Sequence, residues 1–181
     1  AVLTDPKTKD KKSLRNMASV PKASIIDPEL MVTMPKGTAA SVMFDALCHN
    51  MEAYLSQNSQ PLTRVQSLEG VRLLSKNMRE ALEDRTNMEA WSNVCMGSTL
   101  GGMSIGISGV ALPHGMEHPA SGLRDIVHGR GLAALAPVIY ENTWRGDLES
   151  FGTLAKIMGG NSADEFVPLL RKLLEDIDLS T

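Results

Sequence analysis

The sequence predicts a mainly α fold, a helical bundle of about six or seven helices preceded by a short N-terminal β arm. Three observations carry this. Apolar residues recur at helical spacing from Asp27 onward, as in Val65, Leu68, Val71, Leu74 and Met78. Turn and capping residues punctuate the same region at Asp27-Pro28, Pro35-Lys36-Gly37, Asn87 and Gly159-Gly160. Before it stand two short β-prone runs, AVLT and ASII, separated by DPKTKDKK and SLRNMASVPK.

In chain order, residues 1–27 form the arm. Two strands alone are marginal in water, so this arm either pairs with a sheet elsewhere or is loosely held. Residues 28–181 form the helical domain. Thr38 is placed to cap a helix ending near Ser56, and a second helix spans about 62–82. Asn87 caps a third, beginning at Met88 and running into GSTLGGMSIGISGVA. Glycines at 97, 101, 102, 106 and 109 each weaken a helix by up to about 1 kcal/mol, so their number implies close approach of a backbone or a ligand. Tight helix packing is the simpler of these accounts. Next, Pro119 discourages a helix through His118 and predicts an irregular turn leading to His128. LAALAPVIYENTW reads as a buried helix bent near Pro137. Residues 147–158 and 162–177 give two amphipathic helices, the second opened by a Ser162/Glu165 capping box.

Composition narrows the function. The chain has 181 residues, 43% apolar and 22% charged, which fits one globular domain, with or without an appendage, and excludes a disordered chain. A net charge of −3 without a basic stripe argues against a nucleic-acid partner. No leader pattern and no long apolar run is present, so neither secretion nor membrane insertion is expected. Cys48 and Cys95 lie far apart in no paired motif, which suits free thiols in a reducing cytoplasm.

The histidines carry the chemistry. His114, His118 and His128 crowd the segment PHGMEHPASGLRDIVHGR, and the fourth, His49, follows Asp45 by one helical turn. Imidazole and carboxylate are common ligands of first-row metals, so Asp45, His49, His114 and His128 are the predicted metal site. Glu52 falls on the Asp45/His49 stripe, opposite Met43, Phe44, Leu47 and Met51, and is the expected acceptor for the second N–H of His49. An ordinary solvated helix face would give the same stripe, and satisfied core histidines the same cluster. HGMEH is not the zinc-protease motif, because its glutamate precedes the second histidine instead of following the first. The donors outnumber what a closed structural site requires, leaving one for chemistry.

DPELMVTMPKGTAASVMFDALCHNMEAYLS and LPHGMEHPASGLRDIVHGRGLAALAP resemble the iron-containing alcohol dehydrogenases in order and spacing. The resemblance implies Fe²⁺, with Zn²⁺ as the alternative, held by Asp45, His49, His114 and His128. His118 matches the family's additional active-site histidine, near nicotinamide and substrate. The implied reaction is hydride transfer between an alcohol and NAD or NADP, giving an aldehyde or ketone. Family members are about twice this length and carry an N-terminal nucleotide-binding domain. The resemblance therefore implies that residues 1–27 are the remnant of that domain and that the last helices of the family are lacking after Thr181. It further implies that the chain alone is inactive and that a homodimer is an admissible assembly. A metal-dependent hydrolase and a non-catalytic helical dimerisation module are the alternative functions.

Overall fold

The computed structural model describes residues 2–14 and 16–180. Among them are seven α-helices: α1 Lys36–Leu55, α2 Pro61–Glu83, α3 Met88–Ser108, α4 Leu112–Arg124, α5 His128–Thr143, α6 Leu148–Ile157 and α7 Phe166–Asp176. Two strands precede them, β1 Val2–Thr4 and β2 Lys11–Ser13, paired antiparallel. Helices α1, α2 and α3 pack on one another, α5 crosses α1, α4 lies against α5, and α6 and α7 close the far side. Phe44, Leu47 and Met51 from α1 meet Leu74, Met78, Trp91, Leu132, Leu154, Phe166 and Leu170 in one core. Edge-to-face contacts among Tyr140, Phe151 and Phe166, with centroids 5.3–5.7 Å apart, fix α5, α6 and α7 together. Among the described residues no single helix is long and apolar enough to cross a membrane.

The arm is a hairpin, but its second strand is not ASII. Asp5 closes the turn early: its side chain accepts from the amide of Lys7 at 2.8 Å, and its carbonyl accepts from Lys9, which takes a left-handed φ of 61°. That turn returns the chain at Lys11–Ser13, within the stretch expected to be a spacer. Ile25 is 97% exposed, because β propensity without a partner strand makes no strand.

The helices follow the sequence with local shifts. α1 begins at Lys36, two residues before Thr38, with Pro35 at the cap position and no side-chain cap bond. α4 runs through His118 and Pro119, correcting the expected irregular turn. Pro119 forfeits its own amide bond there, yet α4 is anchored on both sides of it by polar contacts described below. Ser162 opens a 3-10 turn at Ala163–Glu165, and its hydroxyl donates to Glu165 instead of accepting from the backbone. Asn87 caps α3 as expected, accepting from the Ala90 amide at 3.0 Å. Asn87→Ala is expected to cost about 1 kcal/mol, a fall of about 2–4 °C in Tm; an unchanged melt refutes a working cap.

The α3 glycines divide into two groups. A Cβ at Gly97 would lie 2.7 Å from Leu74 Cγ, and one at Gly101 2.7 Å from Asn50 Nδ2. Asn50 fills the gap, donating to the carbonyls of Ala46 at 2.8 Å and Gly97 at 3.0 Å. Gly102 and Gly106 face open space beside exposed Met103 and Ile107. Close helix packing therefore accounts for Gly97 and Gly101 but not for the outer pair.

Candidate metal centre

Helix α1 sets the floor of the site. Asp45 and His49 share a face by their four-residue spacing, with His49 Nε2 3.4 Å from Asp45 Oδ1. From α4, His114 Nε2 lies 3.2 Å from the same oxygen. From the first residue of α5, His128 Nε2 lies 3.6 Å from it. Three imidazole nitrogens on three helices thus surround one carboxylate oxygen. His49 and His114 stack at 4.8 Å and 19°, while the His128 ring meets His114 at 64°.

The outer nitrogens are also partnered. Glu52, fully buried, accepts from His114 Nδ1 at 2.6 Å, with Oε2 taking the Ala111 amide at 2.6 Å and the His114 amide at 3.4 Å. This corrects the expected Glu52–His49 pairing. α4 starts after Ala111, which has no capping side chain, so its free amides and positive end draw the carboxylate there. Glu117, also fully buried, bonds His128 Nδ1 through Oε2. Sequence reasoning missed Glu117 as a partner, although its position one turn after His114 on α4 was a usable signal. It also missed Lys11, for which the sequence held no signal. His118 stands beside the cluster, its ring 5.6 Å from His114 and 5.4 Å from His128. His114, His118 and His128 can present ligand atoms within 4.8 Å of one another, as can Asp45, His49 and His114.

Electrostatics agree with a site made for a cation. Burial works to raise the Asp45 carboxyl, but the His114 hydrogen bond and the charges of His49, His128 and His114 outweigh it and hold it below its ordinary value. Burial works to lower His114, yet the hydrogen bonds it donates to Asp45 and Glu52 carry it up to about 9. Burial pulls His49 down, and burial with the neighbouring His114 and Lys11 charges pulls His118 down. Two carboxylates thus bear on His114, which takes up a proton readily, and a metal ion can take the place of that proton. Cys48, buried with its thiol pushed up by burial, and Cys95 are free thiols, and neither is among the grouped donors.

A family model for the C-terminal part of the Fe-containing alcohol dehydrogenase family matches residues 38–181. The chain belongs to that family. Among its relatives, 1,3-propanediol dehydrogenase of Klebsiella pneumoniae is 31% identical over 98% of this chain and 48% of that protein. The protein of the same name from Citrobacter freundii is 34% identical over 89% of the chain and 42% of its own length. The alcohol dehydrogenase from Oenococcus oeni superposes with a TM-score of 0.94 at 30% identity, covering 99% of the chain and 49% of that structure. The chain spans about half the length of the curated relatives it matches. Membership of the iron-containing alcohol dehydrogenases favours neither the hydrolase nor the non-catalytic module.

Proposed function

We propose that the chain is the metal-binding half of an iron-dependent alcohol dehydrogenase, with Asp45, His49, His114 and His128 as the metal ligands. The carrying observation is the meeting of three Nε2 atoms within 3.2–3.6 Å of Asp45 Oδ1. Three imidazoles and one carboxylate fit Fe²⁺, with Zn²⁺ as the alternative, and leave an open position for a substrate. When bound, the divalent ion supplies Lewis-acid chemistry, lowering the pKa of an alcohol so that hydride can leave its carbon.

The chain's own residues do the rest. Glu52 accepts the Nδ1 hydrogen of His114, which leaves Nε2, 3.2 Å from Asp45, as the atom whose proton a bound ion would replace. His118, half-buried beside His114 and His128, is placed to relay the hydroxyl proton or to orient the substrate oxygen. The substrate is a small alcohol, aldehyde or ketone, and the hydride partner is NAD or NADP. We assign residues 28–181 to the helical metal-binding domain and residues 1–27 to the edge of a nucleotide-binding domain. The NAD(P)-binding residues are assigned to that other domain, so the chain alone is expected to take up metal without oxidising alcohol. Assembly as a homodimer and a cytoplasmic setting complete the reading.

Metal content of anaerobically purified protein tests the ligand assignment. One equivalent in the unaltered chain and its loss in His114→Ala and in His128→Ala are expected; unchanged stoichiometry in both removes the assignment. Alcohol-dependent NAD(P)H formation with and without an added nucleotide-binding half tests the reaction.

A further inference from the structure

We infer that Glu117 is a positioning residue for His128, and that Lys11 of the β arm keeps its carboxylate in that role. The inference rests on the reading of the histidine cluster as a metal site. Glu117 Oε2 takes the bond from His128 Nδ1 and lies 3.5 Å from Lys11 Nζ. Lys11 in turn donates to Ser121 Oγ at 3.1 Å, and its Nζ lies 3.3 Å from His128 Nδ1, to which the ammonium can donate only when Nδ1 carries no hydrogen; with Glu117 taking the Nδ1 hydrogen, both nitrogens face Oε2.

Its surroundings separate this carboxylate from an ordinary buried ion pair. Glu117 is fully buried, and its second oxygen, Oε1, has no hydrogen-bond partner. Leaving a carboxylate oxygen unsatisfied in the interior is costly, so stability alone does not favour this residue over an apolar one. Space is nevertheless kept for it: a Cβ at Gly131 on α5 would fall 2.8 Å from Glu117 Cγ and 2.9 Å from Oε1. The arm is also seated where Lys11 can reach. At Gly122 on α4, a Cβ would press on the Lys9 carbonyl and lie 3.4 Å from the Lys11 backbone nitrogen, so arm and helix touch backbone to backbone.

The consequence is tautomeric. An imidazole in water carries its hydrogen mainly on Nε2, and in that form His128 offers Asp45 and its neighbours a donor, not a lone pair. With Glu117 accepting at Nδ1, the hydrogen is held there and Nε2 is free as a ligand atom. Glu52 does the same for His114, but it is fastened by backbone amides of α4, whereas Glu117 is fastened by the arm.

The test uses two readouts on the 181-residue chain. Imidazole ¹⁵N shifts of the metal-free protein, recorded above the histidine titration range, report the tautomer of His128. Co²⁺ titration followed by visible absorption reports ligation. The unaltered chain is expected to show hydrogen on Nδ1, and Glu117→Leu to move it to Nε2 and weaken Co²⁺ binding about 10–100-fold. Glu117→Gln, which keeps an acceptor and the volume, should restore both if Glu117→Leu folds poorly. Lys11→Met should shift the His128 nitrogens in the same direction as Glu117→Leu, while Lys12→Met, an exposed control paired with Asp10, should not. An unchanged tautomer in Glu117→Leu overturns the inference, and unchanged shifts in Lys11→Met remove the arm from it. Absence of Co²⁺ binding by the unaltered chain overturns the metal reading instead, and the tautomer is read independently of it.

Discussion

Gly129→Ala is expected to lower the Tm by about 6–12 °C and to abolish stoichiometric metal binding. Gly129 follows His128 in the first turn of α5, where that helix crosses α1. A Cβ there would meet the Ser41 carbonyl oxygen, with the carbonyl carbon 2.6 Å away and Ser41 Cα 3.0 Å away. These atoms are backbone in mid-helix and have no rotamer to change, so the start of α5 must back away from α1. Overpacking of this kind costs about 3 kcal/mol, which for a chain of this size corresponds to the stated shift. His128 rides on the same turn, and its 3.6 Å approach to Asp45 depends on the crossing that is lost. Gly102→Ala is the matched comparison. It has open space around it in the exposed part of α3, so alanine there should raise stability by about 0.5–1 kcal/mol. Thermal melts of the two variants check the pair. Equal behaviour of the two would contradict the packing account.

Glu52→Ala is expected to destabilise the metal-free chain by about 3–5 kcal/mol, because it strips a buried acceptor from several donors at once. The Ala111 and His114 amides and the His114 ring nitrogen all lose their partner in one step. Metal affinity should fall about 10–100-fold as well, since His114 loses the group that sets its tautomer. Glu52→Gln retains one acceptor oxygen at similar volume and should recover part of both effects. Denaturant unfolding and metal titration separate the two contributions. If Glu52→Ala weakens metal binding but leaves the unfolding midpoint unmoved, Glu52 serves the site alone and does not hold α4.

Much of this architecture was legible in the residues. The long amphipathic helices announced themselves by spacing, and α3 begins where Asn87 predicts. The coming together of Asp45, His49, His114 and His128 was also anticipated from a polar stripe on one helix and a histidine-rich segment elsewhere, although a solvated helix face would have given the same stripe. What spacing could not reveal was which helix each carboxylate turns toward. Glu52 lies one turn beyond His49 on α1, yet it serves α4, whose uncapped first turn offers more donors than a single imidazole. Glu117 was hidden by the same blindness to direction, and Lys11 by lying more than a hundred residues away in a strand set by the Asp5 turn. Pro119 misled for a different reason. Proline's local preference is weak beside a helix pinned at Glu52 before it and at Glu117 and Gly122 around it.

The double duty of Glu52 limits how the centre can be re-engineered. Retargeting to another ion by exchanging residue 52 would unseat a whole helix along with one donor. Variation at position 118, whose ring lies outside the Asp45 contacts, leaves the frame standing. Chemistry at this centre is therefore more adjustable from its rim than from its foundations.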